Sequence, residues 1–342
     1  MTGSTGNIVG APRILFLGAG ASKPLDKMLM GEFVDSLLKE NPPAPELLWT
    51  ICRKEKDLEF LLEQLEELAS KDYLFGEQWD PTWVPGTGSQ KLQPKWPELY
   101  RLHESAKQLI PWIKGRVFRH YRDLFLKPGY QKSFSRLLDC IRTEKNPLVI
   151  FTTNYDPAVE EFCRLSKDWR LVDGFINDPK GAEYYWSRGA FDEFTFESGE
   201  KVIILFKLHG STTWTGLGNR IIKSAPVFDG GDPNYANIMI YPSTRKVAIE
   251  EPFFTAYDYL EKCLSCAEFC LVIGYSFRDY DCIMRFKAAK LANPTLRVTV
   301  LDLNAAKLAE DLGKRSVQVQ PLTFMYPITE DQYIPQLEAL LK

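Results

Sequence analysis

The sequence predicts an α/β protein with a Rossmann-like, doubly wound parallel sheet and a large helical insertion after the first strand. Short, wholly apolar runs, typical of strands buried on both faces of a parallel sheet, occur at 13–17, 148–151, 202–206, 271–274 and 297–303. Helical patterns alternate with most of these runs, as in parallel sheets covered by helices. We therefore expect a single domain over 1–342, with 40–145 as the helical insertion.

Amphipathic spacing predicts the helices in order. The expected segments are 26–40, 57–69, 98–127, 157–165, 252–267, 279–291 and one that opens near Asn304. The first should end at Asn41-Pro42-Pro43, and Pro111 should kink or divide the third. The stretch 166–200 has no clear pattern, and 210–250 is expected to form loops with short strands, including one at 238–241.

Composition excludes several classes of protein. The 342 residues are 45% hydrophobic and 25% charged, close to the globular average. Lys and Arg number 42 against 45 Asp and Glu, a formal charge of −3, so no whole-molecule field attracts nucleic acid. No apolar run reaches the length of a membrane span, and the polar N-terminus lacks a signal-peptide core. With seven cysteines and no disulfide framework, we expect a reduced, cytoplasmic protein.

Small and polar residues follow the predicted strands. They are Gly18-Ala19-Gly20-Ala21-Ser22, Thr152-Thr153-Asn154-Tyr155-Asp156, His209-Gly210, Gly274-Tyr275-Ser276 and Asp302-Leu303-Asn304. The carboxyl ends of parallel strands share one edge of a sheet, and ligands bind in the crevice there. The sequence therefore predicts that these five segments form one site.

The glycine turn admits two interpretations. Gly18 and Gly20 allow backbone amides to approach a diphosphate at the start of a helix. Alternatively, the turn only packs the strand on the helix. Lys23 stands where GxGxxG has its third glycine, no P-loop is present, and the region about 20 residues on is helix and Pro-Pro rather than a strand ending in an acid. An ordinary dinucleotide dehydrogenase is therefore disfavoured.

The order of the motifs resembles the sirtuin family. GAGAS, TTNYD, LHG and GYS follow successive strands, and a late strand ends near an asparagine. The sequence is more closely similar to the bacterial sirtuin-like NAD hydrolases of antiphage defence. Those often carry a helical insertion, a YPS-like segment with a nearby lysine (here 241–246) and a GYSxxD sequence (274–279). The resemblance covers roughly 13–305.

The resemblance implies catalytic roles for three residues. His209 would accept a proton from ribose or water, which the intrinsic pKa of histidine suits. Asn154 would hold a water or a ribose hydroxyl near the glycosidic carbon, and Asp156 would contact the nicotinamide carboxamide. The alternative for Asn154 and Asp156 is an Asx turn with a helix cap, and a lone histidine at a strand end is often structural.

The remaining candidates would bind NAD⁺. They are Gly18, Ala19, Gly20, Ser22, Thr153, Gly274, Ser276, Asp302 and Asn304. Asp302 and Asn304 fall where sirtuins contact the adenosine ribose and adenine. An acid there would bond ribose hydroxyls and repel a 2′-phosphate, favouring NAD over NADP. Either residue is also a candidate helix cap.

We predict no metal. Deacylase sirtuins hold structural zinc between their His-Gly and Gly-Ser motifs, where this chain has only Cys263, Cys266 and Cys270. Tetrahedral zinc needs four ligands, so buried, small hydrophobic side chains are the better interpretation.

The resemblance implies a NAD⁺ glycohydrolase that yields nicotinamide and ADP-ribose, acting as the toxic effector of abortive infection. It also implies a homo-oligomer and a separate regulatory partner, such as a HerA-type ATPase or an Argonaute-like protein. The alternatives are a NAD-dependent protein deacylase and a non-catalytic sensor of NAD or ADP-ribose. The turn reads Lys23-Pro24-Leu25-Asp26 rather than Pro-Asp-Phe-Arg, which disfavours the deacylase.

Overall fold

The computed structural model describes most of the chain. The described residues are 4–5, 8–70, 96–122, 124–177, 184–217, 220–223, 237–239, 250–323 and 333–341. The chain divides into two compact units. One contains Met1–Lys27, Tyr121–Ile240 and Lys246–Lys342, and the other contains Met28–His120 with Tyr241–Arg245.

The larger unit contains a seven-stranded sheet in which every pairing is parallel. In chain order its strands are β2 (Arg13–Leu17), β3 (Leu148–Thr152), β4 (Arg170–Val172), β8 (Val202–Lys207), β12 (Phe269–Ile273), β13 (Arg297–Asp302) and β14 (Gln320–Thr323). Their spatial order is β14-β13-β12-β2-β3-β8-β4. The predicted fold class is confirmed.

Helices cover both faces of this sheet. Alternate residues of a strand point to opposite faces, so Ile14 and Phe16 belong to one hydrophobic core while Leu15 and Leu17 belong to the other. The first core includes α8 (Phe253–Cys266) and α9 (Tyr280–Ala292); the second includes α5 (Pro128–Ile141) and α6 (Ala158–Ser166). Because both faces are dry, these strands are apolar throughout, as the sequence predicts.

The winding of the sheet reverses beside β2. The chain builds one half of the sheet through β3 and β8, and the other half outward from β12 through β13 to β14. Strands β2 and β12 are therefore neighbours although they are far apart in sequence. Such a switch point opens a crevice at the carboxyl ends of its strands, where the glycine turn and Gly274 lie.

The other helices are mostly near their predicted positions. They are α1 (Met30–Leu37), α2 (Pro45–Cys52), α3 (Leu58–Ala69), α4 (Trp96–Arg122), α7 (Gly189–Asp192), α10 (Ala305–Lys314) and α11 (Ile334–Leu341). Helices α2, α7 and α11 have no counterpart among the predicted elements. No helix in the described part of the chain is long and apolar enough to cross a membrane.

Of the two outcomes predicted at Pro111, a kink or a break, the break is wrong. Helix α4 runs through Pro111, and the next helix begins instead at Pro128, a favoured first position for proline. Ala106, Leu109, Ile113 and Val117 are fully buried at helical spacing on both sides of the proline. This continuous apolar face stabilises the helix against the hydrogen bond that Pro111 removes.

A second sheet is formed by strands from 166–200, which has no clear sequence pattern, and from 210–250, where short strands are predicted and the strand predicted at 238–241 overlaps Asn237–Met239. It has five antiparallel strands in the order β11-β9-β10-β6-β5. These strands are β5 (Phe175–Asn177), β6 (Tyr184–Trp186), β9 (Gly210–Leu217), β10 (Arg220–Lys223) and β11 (Asn237–Met239). Two further strands, β1 (Ser4–Thr5) and β7 (Thr195–Phe196), pair antiparallel. Except for the eight-residue β9, these strands have two to four residues and are too short to show a period of two.

The smaller unit contains helices α1 to α3 and most of α4. Its buried residues include Leu48, Leu61, Leu65 and Leu109. Helix α5, by contrast, packs on the seven-stranded sheet of the larger unit. The helical insertion after β2 is thus present, while the bounds 40–145 stay a prediction.

Candidate functional site

The loops after β2 and β12 are in backbone contact. The Gly18 amide donates to the Ile273 carbonyl and the Gly20 amide to the Gly274 carbonyl, both at 2.9 Å. Gly274 has φ +61, and a Cβ there would lie 2.4 Å from the Gly20 Cα. The glycines are needed for this close approach, as the packing interpretation of the turn expects. A 3₁₀ helix, Ala19–Leu25, follows the turn in place of the predicted α-helix, which begins at Met30.

The loop after β3 holds Asn154 against the glycine turn. The Asn154 Nδ2 donates to the Gly18 carbonyl oxygen at 2.9 Å and to the Ser22 Oγ at 3.0 Å. Its backbone amide donates to the Thr152 Oγ1, and the Thr153 amide donates to the Leu17 carbonyl. Because both amide hydrogens are engaged, the side chain has its carbonyl oxygen, an uncharged acceptor, to offer a hydroxyl or a water.

His209 lies two residues after β8 and is 4% exposed. Its Nε2 is 2.8 Å from the Oδ2 of Asp279, which also accepts a hydrogen bond from the Tyr257 hydroxyl at 3.4 Å. The Oδ1 of Asp279 accepts the amides of Asp281 and Cys282 and so caps α9. In the sequence, Asp279 stands out only as the last residue of the GYSxxD motif. Its contact with His209, which is 70 residues away, gives no local signal.

Asp156 is 3% exposed and makes the predicted Asx turn, since its Oδ1 accepts the Ala158 amide at 3.1 Å. Its backbone carbonyl accepts a hydrogen bond from the buried Lys207 Nζ at 2.6 Å. Its Oδ2 is buried and has no hydrogen-bond donor among the described residues. One carboxylate oxygen thus organises the loop, and the second has unused capacity to accept a hydrogen bond.

The end of β13 carries Asp302, whose Oδ1 accepts the Asn304 amide at 2.8 Å. Burial raises the pKa of the Asp302 carboxyl, and the Asn304 amide opposes the shift. Asn304 occupies the N-cap position of α10, but its side chain makes no capping hydrogen bond. Asn304 and Ser276 are exposed. The helix-cap alternative is therefore wrong for the Asn304 side chain.

The structure brings most of the predicted site residues to one edge of the sheet. Hydrogen bonds join Gly18, Ser22 and Asn154, and backbone packing joins Gly20 to Gly274. Among the described residues, Asn154 receives no hydrogen bond from Ser276, Asp302 or Asn304. These three residues lie at the same edge of the seven-stranded sheet. The segment 241–246, which carries the YPS-like sequence, lies outside the described residues.

The cysteines proposed as small hydrophobic residues lie on α8 and β12. Cys263 and Cys270 are buried, and burial raises the pKa of their thiols. The prediction of a buried side chain is wrong for Cys266, which is exposed. The described part of the chain contains no group of three or more His, Cys, Asp or Glu residues that would hold a metal ion.

Comparison with known proteins gives one family match. Residues 148–312 match the model of the SIR2-like domain, and this segment contains Asn154, Asp156, His209, Gly274 and Asp302. No curated protein sequence matches the chain.

The chain also has likenesses among solved structures. A Sir2 homologue mutant in complex with ADP-ribose has a TM-score of 0.44 at 12% identity, with 98% of this chain and 95% of that chain covered. A Sir2 homologue in complex with NAD has a TM-score of 0.44 at 11% identity, with 98% and 93% covered. A Sir2 complex with a p53 peptide and NAD⁺ has a TM-score of 0.39 at 12% identity, with 96% and 94% covered.

Proposed function

We propose that this protein is a NAD⁺ glycohydrolase, which converts NAD⁺ and water to nicotinamide, ADP-ribose and a proton. The observation that carries the proposal is that two polar groups are held in fixed positions after neighbouring strands of the sheet. The carboxamide of Asn154 is immobilised on the glycine turn, and His209 is buried against Asp279. The SIR2-like domain match covers both residues, and the sequence motifs resemble those of sirtuins.

These groups suit cleavage of a glycosidic bond to a cationic leaving group. The bond from ribose C1′ to the pyridinium nitrogen breaks, and its electron pair neutralises nicotinamide. A water oxygen bonds to C1′ and loses a proton to His209. The carbonyl oxygen of Asn154 accepts a hydrogen bond from that water without competing as a nucleophile. Since nicotinamide leaves readily, the protein contributes mainly position and stabilisation of developing positive charge.

Two carboxylates match the ends of the substrate. The Oδ2 of Asp156 is buried without a donor among the described residues, and the amide hydrogens of a nicotinamide carboxamide supply one. Asp302 stands at the end of β13, where an acid accepts hydrogen bonds from the adenosine ribose. We propose that it selects NAD⁺ over NADP⁺ by repelling a 2′-phosphate.

The deciding experiment incubates the purified protein with NAD⁺ alone and separates the products by chromatography. We expect nicotinamide and ADP-ribose from the wild type and a loss of about 10²-fold or more in Asn154→Ala and His209→Ala. Asp139→Ala, on the distant surface of α5, is the matched control and should retain full activity.

The alternatives give different results in the same assay. A deacylase consumes NAD⁺ only when an acylated peptide is added and forms an acyl-ADP-ribose. A sensor binds NAD⁺ or ADP-ribose without turnover. Absence of both turnover and NAD⁺ binding would overturn the proposal.

We also propose that the hydrolysis serves antiphage defence, in the cytoplasm, as an oligomer controlled by a separate partner. The support is the similarity of the motif order to that of defence NAD hydrolases. Cells that express the protein with its partner should lose NAD⁺ and stop growing on infection, and Asn154→Ala should abolish both effects. Unchanged phage yield and NAD⁺ content would refute this role.

A further inference from the structure

We infer that Asp279 is a positioning residue that fixes the tautomer of His209. The inference rests on the proposed function for its catalytic consequence, but not for its structural content. The two side chains are 5% and 4% exposed, and the Nε2 to Oδ2 distance is 2.8 Å. A carboxylate only accepts hydrogen bonds, so the proton of a neutral imidazole must lie on Nε2. The lone pair is then on Nδ1, and Nδ1 is the nitrogen that acts as the base.

Hydrogen bonds from two helices, α9 and α8, hold Asp279 in place. Its Oδ1 accepts the amides of Asp281 at 2.9 Å and Cys282 at 3.3 Å, in the first turn of α9. Its Oδ2 accepts the Tyr257 hydroxyl from α8 as well as the His209 ring. The helix start therefore sets which carboxylate oxygen faces the histidine, and the orientation of the ring follows from the fold.

This geometry predicts an unusual effect of Asp279→Asn. The asparagine Oδ1 replaces the capping oxygen, since asparagine caps helices as well as aspartate does. The Nδ2 then takes the place of Oδ2 and presents a donor to Nε2. His209 must accept that hydrogen bond, so its proton moves to Nδ1 and its base is lost. In the serine protease triad the corresponding exchange imposes the wrong tautomer and lowers kcat about 10⁴-fold.

The test is a long-range ¹H–¹⁵N correlation spectrum of the imidazoles, at a pH where they are neutral. The chain has only three histidines. The signal that disappears in His209→Ala is assigned to His209. We expect the Nε2–H tautomer in the wild type and the Nδ1–H tautomer in Asp279→Asn. In the NAD⁺ assay, we expect Asp279→Asn to lower kcat at least about 10²-fold and to change KM little.

Two further variants separate positioning from helix capping. Asp279→Ser retains a capping oxygen but is too short to reach His209, so we expect a mixture of tautomers and a lowered kcat. Asp281→Asn removes the same charge two residues away and should leave tautomer and kcat unchanged. If both Asp279→Asn and Asp279→Ser retain the wild-type tautomer and kcat, then Asp279 serves only as a helix cap. That result would overturn the inference.

The spectrum tests the positioning of His209, and the NAD⁺ assay tests the proposed function, so either claim can be wrong without the other. If Asp279→Asn inverts the tautomer but the wild type does not hydrolyse NAD⁺, the positioning stands and the proposed function falls. If the wild type hydrolyses NAD⁺ while His209 carries its proton on Nδ1, the function stands and the positioning is wrong.

Discussion

Gly274 joins two distant parts of the chain at a point with no room for a side chain. Its amide donates to the Leu301 carbonyl at 3.1 Å, and its carbonyl accepts the Gly20 amide. The residue thereby links the end of β12 to both β13 and the glycine turn. The positive φ and the contact with Gly20 are separate demands, and glycine meets both.

We expect Gly274→Ala to destabilise the fold by about 3 kcal/mol or more, because left-handed backbone strain of about 1–2 kcal/mol adds to a steric overlap of similar cost. Gly199→Ala is the matched control. Gly199 also has a positive φ, +89, but no atom of the described residues lies within 4 Å of its Cβ position. It should therefore show only the backbone cost. Equal urea midpoints for the two variants would contradict this account of the packing.

Asp302 shows a conflict between binding and stability. Burial raises the pKa of its carboxyl above the ordinary 3.8, so ionisation near neutral pH costs the folded state free energy that the unfolded state does not lose. This cost is absent at acid pH and grows as pH rises through the raised pKa.

We therefore expect Asp302→Asn to raise Tm near neutral pH and to weaken NAD⁺ binding. The gain in Tm should shrink as pH falls and vanish below 3.8, where the Asp302 carboxyl is protonated in both the folded and the unfolded state. Thermal melts over a pH series, with calorimetric titration of NAD⁺ and NADP⁺, test both effects. A gain in Tm that does not depend on pH would exclude the carboxylate as its cause.

At the scale of elements, one buried lysine connects two functional loops. Lys207 ends β8, two residues before His209, and donates to the Asp156 carbonyl. Its Nζ also lies 3.5 Å from the Glu160 Oε1 on α6, an ion pair without hydrogen-bond geometry. All three side chains are buried. Lys207 thus ties the start of α6 to the strand that carries the histidine.

We expect Lys207→Met to destabilise the protein by about 3–5 kcal/mol, since it leaves the buried Glu160 carboxylate without its cation and the Asp156 carbonyl without its donor. Adding Glu160→Gln should recover part of the loss, and a double-mutant cycle in urea measures the coupling. Arg164→Met, which removes an exposed partner of Glu161 on the same helix, is the control and should cost less than about 1 kcal/mol. Additive losses at 160 and 207 would show that the pair is not coupled.

At the scale of the whole molecule, the reversal of winding between β2 and β12 determines where the site lies. The carboxyl ends of β2, β3, β8, β12 and β13 lie at one edge because the sheet is parallel. A ligand that contacts several of them binds only the folded state.

We therefore expect NAD⁺ at 100 times its Kd to stabilise the inactive Asn154→Ala variant by about 2.7 kcal/mol. Thermal melts with NAD⁺ and with NADP⁺ measure the difference, and NADP⁺ should give a smaller shift at equal concentration. Equal shifts for the two nucleotides would argue against selection by Asp302.

The sequence by itself determined the parallel sheet and the strand ends after which the candidate site residues lie. Long apolar runs and strand-end residues such as Asn154 and His209 are local signals, because each strand buried on both faces must be apolar throughout. It did not predict the five-stranded antiparallel sheet or the unbroken helix across Pro111. Both depend on packing partners that are remote in sequence.

Only the tertiary structure decided which residues the candidate site residues contact. The pairing of His209 with Asp279 spans 70 residues, and the bond from Asn154 to Gly18 spans 136. Hydrogen bonds of this kind have no periodicity and no local propensity, so they leave no signal in a single sequence. They exist because the fold brings the segments that follow distant strands together, so that atoms of residues far apart in sequence come within 3 Å of one another.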